Sequence, residues 1–220
     1  MSKEFGYIGK EVTQDFFNNK GIFNPQDIYE LDGENKWSTF GQLELISTVV
    51  SSSSATAIEF TELKETEYDV HVFIFSNMQS GTSGSGGQVG YRIFTSQYGY
   101  DTNSHYATAL QRCNSSGTFS EFAQNNTAYS YIQGHPLSSN ANESMNAIWY
   151  FHGFGDSTMN TYSTGHTTSV HASGQHVSEF GSGSYIKQRP VTQIKFIIGT
   201  GTTAFTDGCI ISLYGIRSSS

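Results

Sequence analysis

The sequence predicts an all-β protein: an antiparallel β-sandwich of jelly-roll type, preceded by a short N-terminal docking segment containing a small helix. Three observations predict it. From about residue 42 onward apolar residues recur with a period of two, the repeat of a half-buried strand. No helical run alternates with these stretches, which argues against a parallel sheet. The composition also suits a β body. Of 220 residues 14% are aromatic and 14% charged, with 16 Phe, 13 Tyr and 23 Gly, and Ser and Thr together make up about a quarter. A helical bundle would be rich in Ala, Glu, Lys, Leu and Arg instead, and a disordered chain would lack the aromatics.

Residues 1–40 read differently from the rest and form the expected anchoring segment; residues 41–220 form the sandwich. Phe5, Tyr7, Ile8, Phe16, Phe17, Ile22 and Phe23 put large apolar groups in a stretch too short for a core of its own. Asn24 suits a helix N-cap and Pro25 the first helical position. Ile28 and Leu31, three apart with Tyr29 between them, would share a face of a short helix that Gly33 ends. Such a segment must dock on the main domain or on another chain, so Phe5, Tyr7, Ile8, Phe16, Phe17, Ile22, Phe23, Ile28, Tyr29 and Leu31 are the candidate protein-binding residues.

The strands follow in order. Leu43 and Leu45 alternate with Glu44, and Ser51–Ser54 reads as a turn. Ile58 and Phe60 alternate with Glu59 and Thr61. Tyr68, Val70, Val72 and Ile74 share a face, while Asp69 and His71 begin the other, which turns apolar at Phe73 and Phe75. That shift predicts a strand half exposed at its start and buried on both sides at its end. Residues 81–87 are a Gly/Ser/Thr loop. Further strands are expected near 89–95, 104–112, 145–152, 159–171, 191–198 and 208–216, eight to eleven in all. Met145, Ala147, Trp149 and Phe151 face one way in one of them, and Ile194, Phe196 and Ile198 in another. Asn125-Asn126, Gly153–Asp156 and Gly199-Thr200-Gly201 carry turn chemistry.

Bulk properties exclude several functions. A net charge of -8, with the basic residues scattered, argues against nucleic acid, whose binding needs clustered Lys and Arg. No apolar run approaches the roughly 20 residues of a membrane helix. The first residues lack the apolar stretch of a secretory signal, so Cys113 and Cys209 are expected as free thiols of a chain made in a cytosol.

No catalytic, cofactor or metal site is expected. His166, His171 and His176 are five apart, so neighbours in this set point to opposite faces of a strand and could share an ion only if the chain folds back at Gly174. His152 and Asp156 lie in one Gly-rich turn, but no nucleophile elbow accompanies them; Gly181-Ser182-Gly183 and Gly84-Ser85-Gly86 read as loops. Among the acids of the β region no pair stands out for glycoside hydrolysis, and Asp101 and Asp156 suit turns. The excess lies in Tyr and neutral hydrogen-bonding residues. Tyr91, Tyr98, Tyr100, Tyr106, Tyr129, Tyr131 and Tyr162 fit either a binding surface or simple strand preference.

Two ends of the chain carry a resemblance. Phe5-Gly6-Tyr7-Ile8-Gly9-Lys10, Asn18–Asn24, Asp27–Leu31 and Trp37 resemble the start, and Ile210–Arg217 the closing strand, of β-sandwich structural proteins from tailed phages of marine bacteria and cyanobacteria. Ile58-Glu59-Phe60 leading to Tyr68-Asp69-Val70 has the matching order. The resemblance implies a virion location and carries no catalytic residues. The expectation is therefore a non-enzymatic virion structural protein, assembled in the host cytoplasm, attached to other virion proteins through residues 1–40 and most simply a tail-fibre or tail-associated component. A capsid decoration protein and a carbohydrate-binding lectin domain are the alternatives. A homotrimer is expected by the same resemblance, with a host surface glycan or protein as a further partner.

Overall fold

The computed structural model describes residues 43–82, 87–140, 142–170 and 174–217. The ten candidate anchoring residues, the expected helix at 24–31, Gly84-Ser85-Gly86 and His171 lie outside them. Thirteen strands and no helix occur among the described residues: β1 (Glu44–Val50), β2 (Ala57–Phe60), β3 (Val70–Met78), β4 (Val89–Thr95), β5 (Gly99–Tyr100), β6 (Tyr106–Asn114), β7 (Phe119–Thr127), β8 (Ser130–Tyr131), β9 (Met145–His152), β10 (Thr161–Val170), β11 (His176–Tyr185), β12 (Gln193–Ile198) and β13 (Ile210–Ile216). They form two sheets. One has eight strands in the order β1-β13-β3-β9-β10-β11-β6-β7; the other runs β2-β12-β4-β5, with β8 also pairing β4. Every pairing is antiparallel.

The two sheets meet through aromatic rings. Phe196 of β12 stands 5.0 Å from Phe73 and 4.8 Å from Phe75 on the opposite sheet, edge to face. Phe60 closes on Phe73 at 5.3 Å, and Tyr91 on Phe151 at 4.9 Å. Such pairs add about 0.5–1.5 kcal/mol each beyond the area they bury. Ile58, Ile93, Trp149, Ile194, Ile198, Ile211 and Leu213 fill the space around them and are buried. Alternation puts these residues inside, as expected for Met145, Trp149 and Phe151 and for Ile194, Phe196 and Ile198. Ile197 is buried too.

In β3 the faces differ from expectation. His71, Phe73 and Phe75 form the core side, whereas Val70 and Ile74 lie half-buried on the other. His71, expected on an exposed face, is fully buried. Its ring sits 4.8 Å from Phe154 and its Nε2 lies 2.8 Å from the Leu63 carbonyl. Because a carbonyl only accepts, Nε2 carries the proton and the ring is held neutral: burial pulls its pKa from 6.5 to about 4.

Four strands were absent from the sequence expectation: the two-residue β5 and β8, and the longer β7 and β11. β7 follows β6 through a hairpin in which Asn114 Oδ1 accepts from the Thr118 N–H at 3.0 Å and Gly117 takes φ +80°. Asn125-Asn126 is part of β7 rather than a turn. Asn126 has φ +55°, and the register slips beside it, where Asn125 pairs Ala107 and Thr127 pairs Tyr106. The same local chemistry has made a β-bulge. β11 runs through Gly181-Ser182-Gly183, which reads as a loop in sequence. These glycines are needed for room: a Cβ on Gly181 would meet the Ala109 carbonyl and the Leu110 backbone, and one on Gly183 the Tyr91 and Ser163 hydroxyls.

Candidate functional site: the outer half of the eight-stranded sheet

Strands β10, β11, β6 and β7 extend the larger sheet on the far side of β9. Their inner face carries buried polar groups among Tyr106, Leu110, Val177 and Tyr185. Thr161, Ser163, Thr167 and Ser169 alternate inward along β10, with Glu179 on β11 and Thr108 on β6. The segment 130–138 backs this layer and is held to it by hydrogen bonds. Ser130 Oγ lies 2.9 Å from Thr108 Oγ1, the Tyr131 N–H donates to Thr108 Oγ1 at 3.0 Å, and Gln133 Nε2 donates to Ser169 Oγ at 3.3 Å. Glu179 is the charged centre: Arg112 Nε donates to its Oε1 at 2.7 Å and the Gly134 N–H to its Oε2 at 2.9 Å. Burial pushes the Glu179 carboxyl up, and Arg112 and Gly134 offset part of that rise. The layer is thus a hydrogen-bonded clamp that fixes how β6, β10 and β11 present their other side.

That other side is the candidate site. Residues paired across the strands form rows. The middle row runs Tyr150, Thr164, Ser182, Ala109, Ala123 from β9 to β7. The row on one side is His152, Tyr162, Ser184, Ala107, Asn125; on the other it is Ile148, His166, Phe180, Gln111, Glu121. From Thr164 to Ala123 the side chains of the middle row are small and leave a trough beside larger ones, Tyr162 in one flanking row and His166, Phe180 and Gln111 in the other. One depression of about 400 Å³ is lined by residues including Ala107, Ala109, His152, Tyr162, Thr164, Ser182 and Ser184. A second of about 290 Å³ adjoins Gln111, Glu121, Ala123 and Phe180. Tyr162 and Phe180 stand at its sides, each 47% exposed, which is high for rings of that size.

The tyrosines divide. Tyr91 and Tyr106 are buried in the core, and Tyr106 donates to the Asp101 carbonyl at 3.1 Å while accepting the Ile93 N–H at 3.0 Å. Tyr129 and Tyr131 hydrogen-bond each other at 2.9 Å. Tyr98 is exposed against Arg189, and Tyr162 on the trough. Tyr91 and Tyr106 thus serve the packing of the sheets, while Tyr98 and Tyr162 lie on the surface.

Other expected candidates fall as follows. The chain does fold back at Gly174, setting Val170 opposite His176 and His166 opposite Phe180. Four residues of β10 separate the two histidines, and His176 Nε2 lies 2.9 Å from Thr168 Oγ1. Among the described residues no three His, Cys, Asp or Glu converge on a metal position. Asp156 accepts from the Thr158 N–H and hydroxyl, both at 2.6 Å, the turn role expected of it, and these bonds hold its carboxyl low. The fold does gather Asp156, Asp69 and Glu65 around one depression of about 530 Å³, a grouping not visible in sequence. Asp101 also begins a turn, accepting the Asn103 N–H at 2.8 Å. It does more than that: fully buried, it accepts from Tyr185 at 2.8 Å and meets His105 Nδ1 at 2.7 Å. Burial acts to raise its carboxyl, but the bonds from His105, Asn103 and Tyr185 outweigh this and hold it low. Cys113 and Cys209 are both free thiols, with Cys209 buried.

No protein-family model matches the chain, and no curated protein matches it. What the site can do therefore rests on its own chemistry. Of the ten residues lining the trough's depression of about 400 Å³, none is Asp, Glu, Lys or Arg.

Proposed function

We propose that the chain is a non-enzymatic virion structural protein of a tailed phage, attached to other virion proteins through residues 1–40 and most simply part of a tail fibre. The strand order supports the finer jelly-roll reading: β1-β13-β3-β9 in one sheet against β2-β12-β4-β5 in the other is the interleaving that a rolled-up pair of Greek keys produces. The observation that carries the function is the outer half of the larger sheet, a broad trough whose depression of about 400 Å³ is lined by no Asp, Glu, Lys or Arg, backed by a hydrogen-bonded layer. A fibre component must display such a face to a host glycan or protein, which favours the fibre over a capsid decoration protein. The resemblance of the chain's two ends to phage structural proteins supports the same location, and the homotrimer belongs to this reading.

An antibody raised against the protein, located on purified particles by electron microscopy, tests it. Label at the tail supports the proposal; label on the capsid shell selects the decoration reading, and no label on particles overturns both. A chain of residues 41–220 is expected to remain folded and to lose attachment, and light scattering that finds only monomer at high concentration would refute the trimer.

A further inference from the structure

Three features of the trough narrow what it takes. First, its ring is placed for stacking: Tyr162 is 47% exposed, with the exposed His152 beside it in the same row. Second, its hydroxyls are unspent. Thr164 Oγ1 donates to the Gly181 carbonyl at 3.0 Å and keeps its acceptor capacity; Ser182, Ser184 and the His152 ring make no side-chain hydrogen bond with any described residue. Third, no Lys, Arg, Asp or Glu lines its depression of about 400 Å³. A sulfate, phosphate or carboxylate entering it would lose water without gaining a counter-charge, at a cost of several kcal/mol. A purely apolar ligand would leave the hydroxyls unpaired. The trough crosses the strands, and neighbouring strands lie about 4.8 Å apart. From His152 on β9 through Tyr162 and Ser184 to Ala107 on β6, all lining the depression, is three spacings, about 14 Å, the reach of an oligosaccharide rather than a single ring.

We propose that this trough binds a neutral glycan chain laid across β9, β10, β11 and β6. The Tyr162 ring covers one sugar face. Ser182, Ser184, Thr164 and the His152 ring exchange hydrogen bonds with the sugar hydroxyls, and Phe180 bounds the far side. The inference rests on the reading of the sandwich as the outward part of a fibre, for which it names the chemistry of the receptor.

The test uses the full chain on a printed array of neutral and acidic glycans, followed by titration calorimetry with the strongest neutral oligosaccharide. Tyr162→Ala removes the ring, and Ser182→Trp fills the floor; both positions are exposed, and circular dichroism checks that each variant is folded. Retention of neutral glycans is expected, with affinity at least tenfold lower in Tyr162→Ala and lost in Ser182→Trp. Retention of acidic glycans alone, of no glycan, or of neutral glycans with affinity unchanged in both variants overturns the proposal. A protein found on tails that binds no neutral glycan fails this inference only. A protein that binds glycan through the trough but is absent from particles fails the functional reading only.

Discussion

Acid should weaken this protein through one side chain, His71. Its ring is fully buried between Phe154 and Tyr68, Nε2–H donates to the Leu63 carbonyl, and Nδ1 is buried without a hydrogen-bond partner. Protonating Nδ1 would place a cation among rings, with Asp69 as the nearby charge that partly favours it. In the unfolded chain the imidazole takes its proton near 6.5; in the folded one only near 4. Between those values the unfolded state binds more protons, so stability rises with pH. It is undiminished above about pH 6.5 and declines as pH falls toward about 4. A difference of about 2.5 pH units at about 1.4 kcal/mol each gives a loss of about 3.5 kcal/mol, a sizeable part of the 5–15 kcal/mol that domains possess. Urea melts followed by fluorescence, at intervals from pH 7.5 to 4.5, measure it. In His71→Phe the aromatic packing is kept and the titration removed. That variant should lose about 1 kcal/mol at neutral pH for the unpaired Leu63 carbonyl, and its stability should fall less with acid than that of the parent. Parallel pH profiles for the two proteins, or an NMR titration of His71 near 6.5, would refute the reasoning.

Three further outcomes follow from the packing. Glu179→Ala should cost about 3–5 kcal/mol because it leaves Arg112 uncompensated against a buried layer; Glu179→Ala combined with Arg112→Met should recover part of that in a double-mutant cycle read by chemical denaturation. Gly165→Ala should cost about 1–3 kcal/mol, since a methyl there meets the Ile148 carbonyl and the Trp149 ring; a melting temperature equal to the parent's would show that β9 and β10 have more room than their register implies. Tyr106→Phe should cost about 1–3 kcal/mol by orphaning the buried Ile93 N–H, and faster hydrogen exchange at that amide is the local sign to look for.

The half of the fold nearest the hydrophobic centre was legible in the sequence because its two faces differ in polarity. β9 and β12 bury Trp149, Phe151, Ile194 and Phe196 while turning Asn146 and Lys195 away, and period two finds them. β11 hides for the opposite reason. Its inward positions are Val177, Glu179, Gly181, Gly183 and Tyr185, and its outward ones include Phe180. A charge faces in, a large ring faces out, and glycines occupy the places where backbone and hydroxyls crowd. Burial there is satisfied by hydrogen bonds rather than by hydrophobicity, so hydropathy carries no signal. β7 has a weaker form of the same problem: as an edge strand it buries little, and exposes Phe119, Glu121 and Ala123. The trough was invisible for a further reason. It is made by cross-strand register, which sets Thr164 beside Ser182 and Ser182 beside Ala109 across long separations in sequence.

In β10 every second residue from Thr161 to Ser169 is buried and every intervening one exposed. The hydrogen-bonded layer and the trough are thus the two sides of a single thickness of backbone, written in alternate letters of the same strands. Tyr162, Thr164, His166, Phe180 and Ser182 can change without altering what Ser163, Thr167, Ser169 or Glu179 touch. A population under pressure to meet altered surfaces could revise the outward letters and keep the inward ones. The same property makes these outward positions the natural ones to randomise in a selection for new ligands.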